Sequence, residues 1–258
     1  MDVQSQYVLK KPSPQNVLDI FADEWSSAMP LPELKALPGK AYLFQDNRLE
    51  WGLEKMGGVE GLNVLELGPL EAGHSYMLQK QGAKSVHAIE ANNRAFLKCL
   101  CIKEIFGLDR VRFELGDFVE YLETTQERYD LVVASGVLYH MLEPLRLLER
   151  ISQVSDRIFL WTHYYDREII AANPNLQHRF LASTSFNHAG RQYEGAEQIY
   201  KDAVKWLGFC GGPKLTSRWL TRESLLAAIK SCGFVNIETS FEERHHPHGP
   251  AIAICATR

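Results

Sequence analysis

No stretch of this chain is apolar for long enough to cross a bilayer; runs such as Leu131–Ala134 and Ala251–Ala256 stop after a few residues. No basic patch followed by an apolar core opens it, so no secretory leader is expected. Positive charge is not in excess either. Lys and Arg number 28 against 32 Asp and Glu, a net charge of −4, which argues against a dominant nucleic-acid surface. Cysteine is sparse: Cys99, Cys101, Cys210, Cys232 and Cys255 are odd in number and lack zinc or redox spacing. Reduced thiols in a cytoplasmic protein are the expectation. Repeats and low-complexity tracts are missing, and 45% hydrophobic with 23% charged residues excludes disorder, coiled coil and collagen. What remains, at 258 residues, is one large globular domain, or one domain with a modest attachment.

Residues 1 to 60 are punctuated by Pro12, Pro14, Pro30, Pro32 and Pro38 and read as a helical cap. Val17–Trp25 and Asp46–Met56 are its helices, the second with Leu49, Leu53 and Met56 on one face. From Leu62 apolar runs and helical stretches alternate. Strands are predicted at Asn63–Leu67, Ser85–Glu90, Val111–Leu115, Tyr129–Ser135 and Arg157–Thr162, with helices at Ser75–Gly82, Asn93–Phe106 and Pro144–Val154. That alternation predicts a parallel sheet covered on both faces. The segment 164–214 breaks the rhythm and is too long for an ordinary connection, so it reads as a substrate lid with Glu194–Leu207 as a helix. A helix at Thr221–Cys232 and strands at Phe234–Phe241 and Ala251–Ala256 close the chain. The domain expectation is a cap over 1–60 and a main domain over 61–258 that contains the 164–214 lid.

The most informative stretch is Glu66-Leu67-Gly68-Pro69-Leu70-Glu71-Ala72-Gly73-His74-Ser75, a glycine-bearing turn between strand and helix. In an open parallel sheet ligands bind at such a turn. Gly68 and Gly73 match the first and third glycines of the dinucleotide fingerprint, but Leu70 stands at the second, where a side chain hinders a pyrophosphate. Glu66 would repel a phosphate and could hold an ammonium. Glu90 closes the second strand 22 residues after Gly68, a spacing suited to ribose hydroxyls. A ligand with an amino acid at one end, a ribose at the other and no phosphate fits both acids. S-adenosylmethionine (SAM) has that chemistry.

The chain resembles the class I SAM-dependent methyltransferases over roughly residues 62–162, and less clearly over 217–258. The resemblance rests on Glu66, Gly68 and Gly73, on Glu90, on Gly116-Asp117-Phe118, and on Tyr129-Asp130-Leu131-Val132 leading to Ser135-Gly136-Val137-Leu138-Tyr139-His140. It implies a three-layer Rossmann-like α/β fold, with a mostly parallel seven-stranded sheet and an antiparallel last strand. It also implies SAM as cofactor, S-adenosylhomocysteine (SAH) as product, and Asp117 and Phe118 near the adenine. Ser135 and Gly136 would lie on the methionine side. Pro69, His74, Ala91 and Asn92 join the cofactor set as neighbours of these motifs. Asp117 has a second reading, as the cap of the helix that follows.

Acceptor chemistry is expected at the ends of the fourth and fifth strands. Tyr139, His140 and His163 are the catalytic candidates. Arg48, Trp51, Tyr164, Tyr165, His188, Arg191 and Tyr193 are the acceptor-binding candidates, although Arg48 also reads as the partner of Asp46. No metal is expected, and His245, His246 and His248 read as a turn. The expected function is methyl transfer from SAM to a small-molecule acceptor, with no membrane and no nucleic-acid partner. A tRNA wobble-uridine enzyme is the alternative, with Lys201, Lys205, Lys214 and Arg218 as its basic face. A non-catalytic SAM-binding module is the reading from a different class, and an NAD-dependent dehydrogenase the weakest.

Overall fold

The computed structural model describes residues 7–206 and 208–258. Its strands are β1 (Asn63–Leu67), β2 (Ser85–Glu90), β3 (Val111–Leu115), β4 (Leu131–Ser135), β5 (Arg157–His163), β6 (Thr184–His188), β7 (Arg191–Ile199), β8 (Thr216–Leu220), β9 (Asn236–Glu243) and β10 (Ala251–Thr257). Its α-helices are α1 (Pro14–Leu18), α2 (Asn47–Lys55), α3 (Gly73–Lys80), α4 (Asn93–Phe106), α5 (Phe118–Thr124), α6 (Pro144–Val154), α7 (Arg167–Ala172), α8 (Pro174–Gln177) and α9 (Arg222–Ser231). A seven-stranded sheet runs in the order β3-β2-β1-β4-β5-β10-β9. β1 to β5 pair in parallel, and β10 is antiparallel to both its neighbours. The strand order reverses at β1, which opens a crevice at the carboxyl ends of β1 and β4.

Period-two alternation sends successive residues to opposite faces. Leu65, Val132, Ala134, Ile158, Leu160 and Ile254 face one core with Leu122 of α5, Leu148 of α6 and Ile229 of α9. Val64, Leu131, Val133 and Phe159 face the other, with Leu53 of α2, Leu78 of α3 and Ile102 of α4. Helix starts are fixed by side-chain caps: Asp46, Asn92, Asp117 and Thr221 accept backbone N–H bonds from Arg48, Arg94, Val119 and Ser224.

Helix α2 lies very close to the sheet. A Cβ on Gly52 would stand 2.3 Å from Cδ2 of the buried Phe159 ring. Gly52→Ala is therefore expected to destabilise the fold by about 1–3 kcal/mol through overpacking. Urea denaturation at unchanged m-value measures it.

Two of the sequence expectations give way. Val17–Trp25 is not one helix: α1 starts at Pro14 under the Ser13 cap, a 3₁₀ turn follows at Asp19–Phe21, and Asp23 at φ 66° turns the chain away. Glu194–Leu207 is not a helix either. Residues up to Ile199 belong to β7, paired antiparallel with β6 and β8 in a second, three-stranded sheet, and Leu207 lies outside the described residues. Tertiary pairing overrides local propensity there. Gly195 is the key, since a Cβ would sit 2.4 Å from the Trp219 carbonyl oxygen on β8.

Candidate active site

At the end of β1 the chain turns through three left-handed residues, Gly68 (φ 66°), Leu70 (φ 54°) and Ala72 (φ 60°). Two of them carry side chains, so the surroundings must hold the strain of roughly 1–3 kcal/mol apiece. They do so through the amides. Gly68 N–H donates to Ile89 O (2.9 Å), Ala72 N–H to Pro69 O (2.9 Å), and Leu70 N–H to Glu90 Oε2 (3.1 Å). A pyrophosphate at such a turn needs free N–H donors. Here those three are consumed, and the buried Glu66 carboxyl near the end of β1 would repel a phosphate.

Glu66 is 2% exposed and accepts a hydrogen bond from Ser75 Oγ on α3. Glu90 also accepts from Asn92 N–H (2.8 Å). Burial pushes both carboxyls above their ordinary range. This donor set suits a ligand with a cation and hydroxyls, and does not suit a dinucleotide.

The N-terminal segment clasps the turn from outside. Glu71, fully buried, accepts from Ser26 N–H (3.0 Å) and Ser27 N–H (2.8 Å) and pairs with Lys98 of α4 at 2.8 Å. Lys98 also donates to Glu24 O at 2.5 Å, and Arg94 holds the Glu24 carboxylate with two bonds of 2.6 Å. Gly73 serves the same packing, because a Cβ there would lie 2.7 Å from the Leu43 main chain.

The rim is completed by Asn92, whose side chain caps α4, with buried Pro69 and exposed Ala91 beside it. Asp117 caps α5 through Oδ1, and Phe118 packs on the core. Ser135 ends β4, and Gly136 (φ 79°) donates to Trp161 O at 2.9 Å. His74 is not free at the rim, since its Nε2 bonds Asp46 at 2.9 Å. Asp46 also takes two bonds from Arg48 (2.8 and 2.7 Å). Burial opposes its charge, but His74 and Arg48 hold its carboxyl well below the usual range.

An aromatic cluster fills the ends of β4 and β5. The Arg48 guanidinium lies 4.3 Å over Trp161. The His163 ring stacks on Trp219 (4.9 Å, 5°) and meets Tyr139 at 4.6 Å and Trp161 at 5.1 Å. A Cβ on Gly136 would lie 3.9 Å from the Tyr139 hydroxyl and 4.0 Å from Trp161, so the cluster borders the end of β4. His163 Nδ1–H donates to Gly249 O (2.8 Å) and Pro250 O (3.2 Å), and among the described residues Nε2 has no partner. Burial, with His246 beside it, pushes His163 down to about 3 despite those carbonyls. His140 is pushed down to about 4 by burial, and its Nδ1 bonds the Tyr200 hydroxyl at 2.8 Å. Tyr139 is raised by burial, so its phenol stays protonated.

The residues after β7 reach back to this cluster. Tyr200 packs on Phe209 at 4.9 Å, and Phe209 O accepts from Asn92 Nδ2 at 3.4 Å. A Cβ on Gly211 would stand 3.0 Å from His140 Nδ1. One short stretch thus touches the ends of both β2 and β4.

A family model described as a methyltransferase domain matches residues 59–206, more than half of the chain. The chain belongs to the class I SAM-dependent methyltransferases. The cofactor of the family is SAM, and the emptied-out amide turn with its two buried acids fits it. Among solved structures, this methyltransferase is similar to the N-terminal domain of EvdMO1, solved in the presence of SAH and D-fucose. The TM-score is 0.69 at 23% identity, over 95% of this chain and 94% of that one. It spans 46% of the whole EvdMO1 chain. A SAM-dependent methyltransferase from Mesorhizobium loti aligns at TM-score 0.56 and 15% identity, over 84% of this chain and all (100%) of that one. The 1,6-didemethyltoxoflavin-N1-methyltransferase of Burkholderia thailandensis aligns at 0.53 and 16%, over 84% and 78%. At these identities the likeness is one of fold. No curated protein matches this methyltransferase.

Several acceptor-binding expectations are redirected by their contacts. His188 pairs with Glu149 of α6 at 3.4 Å, Arg191 is exposed at the hairpin, and Tyr193 bonds Ser231 of α9 at 3.0 Å. His188 and Tyr193 thus lie against α6 and α9, carried there by the β6–β7 hairpin. Trp51 packs on Phe241 at 6.1 Å, and the Arg48 guanidinium on Trp161. Tyr164 and Tyr165 line a charged cavity of about 710 Å³ with Asp166, Arg222, Glu242 and Arg244. Of the basic residues, Lys205 pairs with Asp202 at 2.6 Å and Arg218 lies 4.6 Å over Phe186. No described helix is long and apolar enough to cross a membrane.

Trp161, Tyr200 and Trp219 escaped the sequence reading, and His246 was read only as part of a turn. Trp161 had a signal, since it stands two residues before His163 on one strand and shares its face. Tyr200 and Trp219 sit at the ends of strands that their polar neighbours concealed.

Proposed function

We propose that this protein methylates a small-molecule acceptor held between Arg48, Tyr139, Trp161 and His163, with the 164–214 segment as its lid. The observation that carries the acceptor side is the cluster of neutral rings at the ends of β4 and β5, which includes the bare Nε2 of His163. Glu66 holds the ammonium end of the cofactor. Glu90 holds the ribose hydroxyls with the lone pairs that Leu70 and Asn92 leave free. Bound there, SAM supplies a methyl group on a sulfonium, which needs no activation by the protein. The chain's own part is to align the acceptor, exclude water and take up a proton. Phe209 and Gly211, touching Asn92 and His140, are what closes the crevice.

Calorimetric titration with SAM, SAH and NAD, on wild type and Glu90→Gln, tests the cofactor side. Both adenosyl ligands are expected to bind and NAD to fail, with the variant weakened at least about tenfold, roughly 1.4 kcal/mol. Burial raises the Glu66 carboxyl, and an ammonium beside it lowers it again. SAM binding therefore releases a proton, and its affinity rises as pH increases through the raised Glu66 value. Binding of NAD but not SAM would overturn the cofactor assignment. The acceptor side is tested by SAH release with a panel of sugars and phenols against a tRNA transcript. D-fucose, present with the EvdMO1 domain, heads that panel. Release with tRNA alone would sink the small-molecule reading.

A further inference from the structure

The turn between β9 and β10 brings a second histidine to the cluster. His246 meets the His163 ring at 5.0 Å and Trp161 at 6.1 Å. The main chain of that one turn fixes the protons of both imidazoles. Gly249 and Pro250 carbonyls take the proton of His163 at Nδ1, which leaves Nε2 as a lone pair. At His246 the backbone N–H of His248 donates to Nδ1 (3.1 Å), so the neutral ring carries its proton at Nε2. The two tautomers are opposite. His246 N–H donates to Glu243 O (3.3 Å) and Gly249 N–H to His246 O (3.0 Å), and Tyr164 N–H anchors the turn to β5 through Pro250 O (3.0 Å). Burial, with His248 and Arg48 nearby and Glu243 opposing, lowers His246, which favours the neutral form.

We infer that His163 and His246 form one acceptor-recognition pair, His163 accepting a hydroxyl proton and His246 donating to an oxygen on the adjacent carbon. The acceptor class is then a compound with neighbouring oxygens, such as the vicinal diol of a sugar. This rests on the small-molecule methyltransferase reading. A lone alcohol satisfies only one ring, and leaving a donor that close to a buried site unpaired is costly. His246 is on this account a specificity-determining residue.

The experiment uses the full chain saturated with SAH, so no methyl is transferred. Long-range ¹H–¹⁵N spectra, assigned with His163→Asn and His246→Gln, are expected to show a proton at Nδ1 of His163 and at Nε2 of His246. cis-Cyclohexane-1,2-diol and cyclohexanol are then titrated. The diol is expected to bind at least about fivefold more tightly and to move both ring signals. His246→Gln, which keeps a donor, should retain that preference, and His246→Leu should lose it while binding SAH as wild type does. Like tautomers on the two rings, or equal binding of the two probes to wild type, would overturn the inference. Failure to bind SAH would appear before any probe is added, and would strike the methyltransferase reading instead.

Discussion

His163→Asn is expected to lower kcat for a hydroxyl acceptor by about 10²- to 10⁴-fold while leaving SAH affinity within about twofold. Asparagine keeps a donor where Nδ1 now meets Gly249 O and removes the atom at Nε2. The variant thus separates proton uptake from the anchoring of the β9–β10 turn. A base pushed down to about 3 is weak towards a free alcohol. It is sufficient here because an oxygen that gains a methyl group while keeping its proton becomes a strong acid, and the proton leaves late. The sign of the pH dependence follows. The base is neutral above its pKa, so kcat should be flat from about pH 5 to 8, with no inflection at the ordinary histidine value near 6.5. His140→Asn is the control. Asparagine keeps a polar group where Nδ1 meets Tyr200, so this variant should hold the covering segment in place and lower kcat far less than His163→Asn does. The reverse ranking of the two histidines would assign the proton to His140.

Much of this was legible because the cofactor half of the fold is local. Strand, turn and helix around Gly68 are contiguous, and Glu90 ends the next strand, so spacing alone reports them. The limits of α4, β3 and α6 were readable residue by residue for the same reason. The acceptor half is different. Its walls come from β5, from β8 and from the β9–β10 turn, more than eighty residues from His163 to Gly249, and only tertiary pairing unites them. The long segment hid a sheet because its strands are polar and a glycine sits where β7 must press on Trp219. Glu71 carried no signal of its own in the sequence. In the fold it is the residue that ties the turn to the N-terminal segment.

That tie makes Lys98→Met the most damaging single change expected outside the acceptor site. The Lys98 and Glu71 side chains are 5% and 0% exposed, so solvent screens the pair little. Removing the ammonium leaves a buried carboxylate without its counter-charge, and breaking such a pair typically costs about 3–5 kcal/mol. A domain's whole stability is only about 5–15 kcal/mol. Glu71→Gln should cost less, because Lys98 keeps the Glu24 carbonyl and an amide oxygen still serves Ser26 and Ser27. The double variant should recover part of the loss, giving a coupling energy that urea denaturation of all four proteins measures. The effect should also reach the cofactor. Glu71 adjoins Leu70, whose amide holds Glu90, so a loosened clasp frees the strained turn and weakens SAH binding without touching a contact residue. A Lys98→Met protein of wild-type stability and SAH affinity would mean that the turn is held by Glu90 alone. Lost stability with unchanged affinity would confine the clasp to the N-terminal segment. Loss of both is what a ligand turn built from left-handed, non-glycine residues requires of its surroundings.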